Sequence, residues 1–435
     1  MSLPNRFRAR LSWYSCAKGM DVGSRVCSSA VEEGSMNYDI VIIGGGPAGL
    51  SFARSLANSG LRALIVERSG IDSLADPAID GRDIALTHLS IKIMTEMGAL
   101  ARIPQNEIAP IRQAKVINGE SSYCLEIDSA REAVDALGYL VPNYLIRKAL
   151  FEEVVNLDNV GIRDETTVTG VRIGSDQAEV ELSDGDRIAC SLVVAADSRF
   201  SESRRNVGIS ASMLDFGRVA IVSRMQHEKE HQQVAYECFH YGRTLAMLPL
   251  NGNRSSAVVT VSADQAQEIM AMDDEVFAAD VQARFNDRLG NMKLVGKRYA
   301  YPLVAVHANR FVKPRYALLG DAAVGMHPVT AHGFNLGLRG QQTLYNEIRR
   351  AQLQGADIGA LSVLEGYERR HRRVTWPLYT GTNEIVSLYT NDSIPARILR
   401  GLVLRMSNNF PPVKQMIRRK LTELNGSDES LLPFV

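Results

Sequence analysis

A glycine-rich turn near the start of the chain has the residue pattern of a dinucleotide site. The turn occupies residues 44–49 (Gly-Gly-Gly-Pro-Ala-Gly), directly after the strand-like run 38–43, and a second apolar run ends at Glu67. Such a turn lets backbone N–H groups and a helix N-terminus meet a pyrophosphate, and an acid about 20 residues further on binds a ribose diol. A β-to-α turn without a ligand is the alternative. The predicted cofactor contacts are Gly44, Gly46, Ala48, Gly49, Glu67 and Arg68.

A second segment, late in the chain, has the residues to bind the rest of such a cofactor. Residues 320–323 (Gly-Asp-Ala-Ala) close a short apolar strand, and a long helical pattern begins near Phe334. Its free N–H groups, with their partial positive charge, would stabilise a reduced flavin. The segment adds the predicted cofactor contacts Asp321, Gly333, Phe334 and Asn335. His332 and Pro328 are the catalytic candidates. Pro328 is expected to stiffen the loop, and His332 is expected to form a hydrogen bond to flavin or substrate. The alternative for His332 is a structural histidine that bonds the backbone of its loop.

Other conspicuous side chains are predicted to be structural. We expect His327 to order its loop and His88 to be a satisfied core histidine. Tyr236, Tyr241 and Arg243 lie where an aromatic substrate would pack, but packing in the core or on the surface is favoured for each. No nucleophile system of Ser-His-Asp or Cys-His type is found, and no side chain is identified as a general base.

The pattern of elements predicts an α/β fold with a discontinuous domain. Residues 37–110, 142–210 and 300–375 are expected to form a Rossmann-like domain that binds the dinucleotide, since short apolar strands alternate there with helical patterns. Residues 111–141 and 211–299 have strand-like runs joined by turns, and are predicted to form an inserted β-sheet domain that binds the substrate. Among the individual elements, strands are predicted at 168–173, 178–182, 187–195 and 234–240, and a helix over about 274–289. Residues 376–435 are predicted to be a helical C-terminal region.

Composition excludes several classes of partner. The 435 residues are 45% hydrophobic and 23% charged, as in ordinary globular proteins. Lys plus Arg and Asp plus Glu both number 49, so global charge predicts no nucleic-acid partner. The five cysteines contain no CxxC pair, which predicts neither a metal site nor a disulfide framework. No apolar run approaches the roughly 20 residues that span a bilayer.

Residues 1–36 differ from the rest, because they are rich in arginine and serine and poor in acids. An organelle transit peptide has this composition. The favoured interpretation is translation from Met36, which immediately precedes the first strand. Neither interpretation gives the extension a role in the fold.

From residue 37 to about 420 the chain resembles the single-component FAD-dependent aromatic hydroxylases built like para-hydroxybenzoate hydroxylase. Within them it is most similar to the ubiquinone-biosynthesis hydroxylases. The resemblance rests on residues 44–49 with Glu67, on 81–86 with Ser90 and Gly98, on 197–201 with Arg204, and on 320–323 with His327, Pro328, Gly333, Asn335 and Gly337. It implies that Arg82 lies beside the flavin and pyrophosphate, and that Asp197 helps to handle FAD and NAD(P)H.

The resemblance also implies an activity. NAD(P)H would reduce FAD, O2 would add to give a flavin C4a-hydroperoxide, and a polyprenylated phenol or quinol would be hydroxylated on its aromatic ring. The alternatives are an FAD-dependent reductase or epoxidase of an isoprenoid, and a non-catalytic flavoprotein of a quinone-biosynthesis complex. The ring position, the choice between NADH, NADPH and a ferredoxin-type donor, and the oligomeric state stay open.

Five positions depart from the family pattern, all near the implied flavin face. Ser198 and Val324 replace a usual Gly and His, Ala331-His332 a usual Gly-Gln, and Gly340 a usual Asp. We expect the Ser198 side chain to narrow the approach of nicotinamide.

The C-terminal stretch 397–420 is basic, with seven Lys or Arg residues, no acid, and interspersed apolar residues. Such a segment lies on an anionic membrane surface or packs on a partner, and a helical tail with a solvated basic face is the alternative. The expected location is therefore the cytoplasm, peripheral on the inner membrane. It becomes the matrix side of mitochondria if residues 1–36 are a transit peptide.

Overall fold

The computed structural model describes residues 38–118, 124–132, 134–240, 243–327 and 332–390. These residues belong to one compact unit. The extension 1–36, Pro328, Tyr241 and the basic stretch 397–420 lie outside them. The division into cofactor and substrate domains stays a prediction.

The helices alternate with strands through the first half of the chain and dominate its last part. In chain order they are α1 (Pro47–Ser55), α2 (Ile71–Ala75), α3 (His88–Glu96), α4 (Asn143–Val154), α5 (Glu202–Asn206), α6 (Ala263–Ala271), α7 (Asp274–Arg284), α8 (His332–Leu353) and α9 (Leu361–Thr390). None of them combines the length and the apolar composition that crossing a bilayer requires.

The strands of the described residues form four sheets. In chain order they are β1 (Ile40–Ile43), β2 (Ala63–Val66), β3 (Asp83–Leu86), β4 (Ala109–Ile111), β5 (Gln113–Asn118), β6 (Cys124–Asp128), β7 (Gly138–Pro142), β8 (Val160–Arg163), β9 (Val168–Ile173), β10 (Ala178–Leu182), β11 (Arg187–Cys190), β12 (Leu192–Ala195), β13 (Ala211–His227), β14 (Val234–His240), β15 (Arg243–Leu250), β16 (Arg254–Ser262), β17 (Met292–Ala308), β18 (Val312–Lys313), β19 (Tyr316–Leu318) and β20 (Val324–Gly325).

The first sheet positions both predicted cofactor segments. Its order is β18-β19-β12-β1-β2-β8, and the pairs from β19 to β8 are parallel. Strands β1, β2, β12 and β19 are buried at every position. This explains their unbroken apolar sequences, because a parallel sheet is covered on both faces. The glycine-rich turn follows β1 and the Gly-Asp segment follows β19, so both lie at the carboxyl edge, where such sheets bind ligands.

A larger sheet of eight strands has the order β20-β17-β13-β16-β15-β14-β5-β6. Helices α6 and α7 cover one face through a core that includes Cys238, Leu245 and Phe277. The opposite face, which we call the inner face, carries Arg224, Ala235 and Leu248. A third sheet, β3-β7-β4, packs against the inner face through residues such as Ala85 and Leu140.

Most predicted elements are confirmed, with two corrections. The strands predicted at 168–173, 178–182 and 234–240 have those bounds, and Gly185 turns between β10 and β11 at φ +94°. The strand expected over 187–195 is two strands, because β11 pairs with β10 while β12 enters the parallel sheet. The helix expected over 274–289 ends at Arg284, since Asn286 and Asp287 both have positive φ.

Candidate functional site

Three of the four glycines of the first segment, Gly44, Gly46 and Gly49, differ in their steric surroundings. Gly44 has φ +103°, and a Cβ there would lie 2.7 Å from the Ala196 carbonyl oxygen. A Cβ on Gly49 would lie 2.0 Å from the Gly44 oxygen, so the helix packs directly on the turn. A Cβ on Gly46 would meet no atom within 4 Å. The first and third glycines therefore serve the fold, while Gly46 leaves open space at the N-terminus of α1, as a pyrophosphate requires.

Glu67 lies at the end of β2, where its carboxylate joins two backbone segments. Oε2 accepts a hydrogen bond from the Gly45 N–H at 2.6 Å, and Oε1 accepts one from the Ser69 N–H at 2.9 Å. Each oxygen keeps a second lone pair for a ligand hydroxyl. The neighbouring Arg68 is exposed at the same edge. The acid is therefore held where a ribose diol would reach it.

The structure brings the two sequence segments together. A Cβ on Gly320, which has φ +60°, would lie 2.8 Å from the Ala48 Cβ, and one on Gly337 would lie 3.8 Å from the Gly320 Cα. The turn after β1, the turn after β19 and helix α8 therefore meet at one edge of the parallel sheet. Ala48 helps to bring these segments into contact.

Arg199 is a site residue to which sequence analysis gave no role of its own. Its Nη2 donates to Asp321 Oδ2 at 2.9 Å, and its Nη1 donates to the Val304 carbonyl oxygen at 2.6 Å. The buried Arg204 donates to the Ala322 oxygen at 2.8 Å. Both arginines come from the 197–204 segment, so that segment fixes the turn carrying Asp321. In the sequence, the spacing of these two arginines, five residues apart, is the signal that could have indicated this role.

Asp197 and Ser198 shape the start of the same segment. Asp197 Oδ2 accepts a hydrogen bond from the Ser203 N–H at 3.1 Å and so caps α5, whose N-cap Ser201 also accepts from Arg204. Ser198 is exposed and has φ +79°. The usual glycine of the family has a physical reason at this position, because the left-handed conformation strains a residue with a Cβ.

Arg82 is exposed and forms an ion pair with Asp80 at 2.6 Å. Its guanidinium also lies over the Tyr301 ring, 5.3 Å from the centroid, while the Tyr301 hydroxyl donates to the Asp80 carbonyl oxygen at 2.6 Å. Next to it, Gly81 has φ +71° and contacts the Tyr299 ring, which a Cβ would approach to 2.4 Å. The segment before β3 is therefore fitted against β17 of the large sheet.

Helix α8 begins beside β3. The Asn335 side chain donates to the Ala85 oxygen at 2.8 Å and accepts from the Thr87 N–H at 3.1 Å, so it joins the helix to the end of β3. A Cβ on Gly333 would meet no atom within 4 Å. Phe334 packs against the main core, and His332 is buried in the first turn. The first turn of α8 thus has room for a ligand at Gly333.

Asp83, next to Arg82, forms a buried ion pair across the sheets. Arg224 Nη2 lies 2.7 Å from Asp83 Oδ1, and the Asp83 side chain is fully buried. Burial raises the pKa of Asp83, and the Arg224 charge opposes that rise. The pair connects β3 with the inner face.

Three side chains predicted to be structural are confirmed as such. His88 Nε2 lies 2.9 Å from the Ala136 carbonyl oxygen. The Tyr236 ring packs edge-on against Phe285, and Arg243 lies 3.8 Å from Asp280 of α7, so both face the helices and not the inner face. Burial, with nearby Arg199, lowers the pKa of the fourth, His327, to about 4. His327 is therefore neutral near pH 7.

These features fit FAD. A turn with open space at Gly46, an acid at the end of β2, an oriented Asp321 and an open helix start at Gly333 all meet at one sheet edge. Dinucleotides bind at this place in α/β sheets.

Comparison with known proteins agrees with this geometry. The FAD binding domain family matches residues 37–382. The chain is 48% identical over 405 residues to ubiquinone hydroxylase UbiM of Neisseria meningitidis, covering 92% of this chain and 87% of that protein. It is 33% identical over 404 residues to ubiquinone hydroxylase UbiL of Rhodospirillum rubrum, covering 92% of this chain and 94% of that one.

A solved structure shares the fold. The p-nitrophenol 4-monooxygenase PnpA of Pseudomonas putida superposes with a TM-score of 0.71 over 88% of this chain and 98% of that chain, at 18% identity. The α/β fold expected from the sequence, with a cofactor sheet and a large second sheet, is confirmed.

Proposed function

This chain belongs to the FAD binding domain family, and we propose that it hydroxylates the aromatic ring of a polyprenylated phenol or quinol in ubiquinone biosynthesis. It is an FAD-dependent aromatic-ring monooxygenase that uses O2 and NAD(P)H. The observation that supports the substrate most is the 48% identity, over 405 residues, to a protein named as a ubiquinone hydroxylase.

FAD, when bound, supplies the redox chemistry and the activation of O2. The protein's residues bind and orient it. In this proposal the N–H groups at the start of α1 would hold the pyrophosphate beside Gly46, and Glu67 would accept hydrogen bonds from the ribose. Asp321, oriented by Arg199, would accept one from the ribityl chain. The first turn of α8, at Gly333, would stabilise negative charge on the reduced ring.

The remaining predicted contacts keep their proposed places around the cofactor. Gly44, Ala48 and Gly49 shape the pyrophosphate turn, Arg68 lies at its rim, and Arg82 and Asp197 flank it. Phe334 and Asn335 secure the start of α8. His332 and Pro328 remain proposed catalytic residues, because His332 begins the helix that would face the flavin and Pro328 precedes it in the chain.

Asp321→Ala tests the cofactor site. The variant should fold and lose FAD on purification, since the carboxylate no longer bonds the ribityl chain. Flavin absorbance per protein measures this, with Asp176→Ala, on an exposed turn, as the matched control. Wild-type flavin occupancy in Asp321→Ala would contradict the assignment.

Cells lacking this chain test the substrate. Mass spectrometry of their quinone intermediates should reveal a precursor that lacks one or more ring hydroxyls, and its structure identifies the ring position. A precursor with a complete ring but an altered isoprenoid tail would favour the reductase or epoxidase alternative. A chain that restores the quinone pool without consuming NAD(P)H would favour a non-catalytic role in a quinone-biosynthesis complex.

The membrane surface is proposed as the place of reaction. A polyprenylated substrate partitions into the bilayer, and the basic stretch 397–420 would attract anionic lipid headgroups. This stretch lies outside the described residues, so its composition alone supports the proposal. The expected location is the cytoplasmic face of the inner membrane, or the matrix face in mitochondria.

A further inference from the structure

Glu237 is a charged residue in the middle of an apolar strand. It lies on β14, opposite Ala246 of β15 and Val116 of β5. Its neighbours Tyr236 and Cys238 pack towards α6 and α7. Because side chains alternate along a strand, Glu237 points the other way, onto the inner face. Register agrees, since Glu237, Ala246, Val258 and Val222 lie opposite one another across four strands.

The side chains around Glu237 on the inner face are small or apolar. Along its strand, Ala235 belongs to the apolar cluster that also holds Ala85 of β3, and Phe239 belongs to the cluster that also holds Leu388 of α9. These two clusters lie on either side of the carboxyl along the strand. Ala235 and Ala246, beside Glu237, have small side chains that fill little volume. The Glu237 side chain itself is half-buried.

No described side chain compensates this carboxylate. Burial alone raises the pKa of Glu237 to about 7. A desolvated carboxylate without a partner is costly, and a ligand hydroxyl would complete its hydrogen bonds. The other ionisable groups of this region are Arg218 and Arg224 on β13, Tyr299 and Tyr301 on β17, and Asp83 and Tyr144 across from them.

A second unpaired polar atom lies on the same face. Asn118 of β5 is in register with Phe239, one row from Glu237, and its Oδ1 is buried with no hydrogen-bond partner among the described residues. The Asp83–Arg224 pair borders the face near the segment proposed to contact the flavin. Around Glu237 the inner face therefore offers hydrogen-bond acceptors next to apolar side chains, a combination suited to a phenol with an apolar tail.

We propose that the Glu237 carboxylate binds the ring hydroxyl of the phenolic substrate and accepts its proton. The O–H bond of the phenol breaks, the proton passes to a Glu237 Oε, and the electron pair stays on the phenolic oxygen. The ring thereby becomes richer in electrons at the carbons ortho and para to that oxygen, which an electrophilic oxygen attacks. The proton leaves to solvent after the product departs.

This inference rests on the proposed function, so its test separates the two. The probes are 2-geranylphenol and its methyl ether, 2-geranylanisole, which differ in the one hydrogen that Glu237 would accept. Their dissociation constants are measured by flavin absorbance on the FAD-loaded enzyme, from about pH 5.5 to 9. Hydroxylated product is followed separately by mass spectrometry.

The wild type should prefer the phenol, and the preference should grow as pH rises through about 7, where Glu237 becomes charged. In Glu237→Gln the preference should fall by about tenfold, because a neutral hydrogen bond replaces a charged one. Its kcat/KM should fall by about 100-fold and lose the rise with pH. Glu237→Asp should keep the rise with pH at a lower rate. Glu230→Gln, on an exposed loop, should match the wild type.

Binding decides the inference whether or not product forms. A wild type with no preference for the phenol, or a Glu237→Gln variant that keeps the preference and the pH dependence, would overturn the role of Glu237. If the preference behaves as expected but no phenol is hydroxylated, the site stands and the proposed reaction fails. Flavin occupancy and Tm show whether a variant is folded.

Discussion

Ser198 has the left-handed backbone conformation that glycine usually adopts. A φ of +79° should destabilise the folded state by about 1–2 kcal/mol for a residue with a Cβ. A glycine would avoid this cost, but it would also give the unfolded chain more conformational freedom, which offsets part of the gain. We expect Ser198→Gly to raise the free energy of unfolding by about 0.5–1 kcal/mol, measured by urea denaturation. If the side chain also hinders nicotinamide, anaerobic flavin reduction by NAD(P)H will be faster.

Ser198→Ala is the matched control for both effects. It keeps the Cβ, so neither stability nor reduction rate should rise. An unchanged reduction rate in Ser198→Gly would show that the serine does not obstruct nicotinamide, even if stability increases.

The Glu237 carboxyl should also make stability depend on pH. Its pKa is about 4.5 in the unfolded chain and about 7 in the folded protein. The folded state therefore loses stability as pH rises through this window, by up to about 3 kcal/mol at 1.36 kcal/mol per unit. Glu237→Gln should be more stable than wild type at about pH 8 and equal to it near pH 4.5.

Thermal unfolding at the two pH values measures this difference. Glu230→Gln, which is exposed, should show none. An equal Tm of Glu237→Gln and wild type at the higher pH would mean that the carboxyl already has a partner.

For single residues, the sequence predicts which residue types matter better than it predicts the direction in which their side chains point. The glycines at 44, 46 and 49 were identified because steric demands fix their spacing. Tyr236 attracted attention as an aromatic residue, yet it faces the helices, and its neighbour Glu237 lies on the inner face. Which side of a strand is the inner one depends on sheet pairing between distant segments, which one sequence does not contain. The pairing of Arg199 with Asp321 is hidden for the same reason.

The turn between β1 and α1 separates the needs of folding from those of binding. Gly46 has φ −74°, and alanine would fit without a contact within 4 Å. We therefore expect Gly46→Ala to fold normally and to weaken FAD binding by about 100-fold, about 2.7 kcal/mol, because its methyl occupies the pyrophosphate space. FAD titration of the apoprotein measures this, with Gly381→Ala, in open space on α9, as the control.

The same substitution at Gly49 should instead abolish folding, since its Cβ would collide with the Gly44 oxygen. Normal FAD binding by Gly46→Ala would place the pyrophosphate elsewhere.

The Asp83–Arg224 pair connects β3 to β13, and breaking one side should be worse than removing both. Arg224→Met leaves a buried carboxylate without its counter-charge, at a cost of about 3–5 kcal/mol near neutral pH. Adding Asp83→Asn should recover much of this loss. A double-mutant cycle by urea unfolding measures the coupling, and additive effects would show that the pair does not hold the two sheets together.

Helices and strands were predicted correctly where the local sequence pattern defines their ends. They were missed where the ends depend on which sheet a strand joins. β9, β10 and β14 match their predicted bounds because alternating apolar residues and turn signals define them. The break at Ser191 separates β11 from β12 only because the two strands belong to different sheets. No residue type in the local sequence indicates such a break.

For the whole molecule, the proposed membrane contact through the basic stretch 397–420 should depend on charge. The full chain should float with vesicles of phosphatidylcholine and phosphatidylglycerol, and less so at high salt, since each basic residue near the surface contributes about 1 kcal/mol. A chain ending at residue 396 should stay unbound with normal flavin content. Equal flotation of the shortened chain would place the lipid contact elsewhere.

The two longest strands of the described residues pair irregularly at two places. β13 and β17 pair over almost their entire length, but the register shifts between Asp215 and Val219 and again between Val222 and Arg224. A paired ribbon is stiff, and its compliance is concentrated where ladder hydrogen bonds are missing. We therefore expect the large sheet to flex most at these two irregular positions. Flexing there would widen the space beside Arg224 for a long-tailed ligand while the core on either side stays intact. Amide exchange along the two strands should be fastest at these positions.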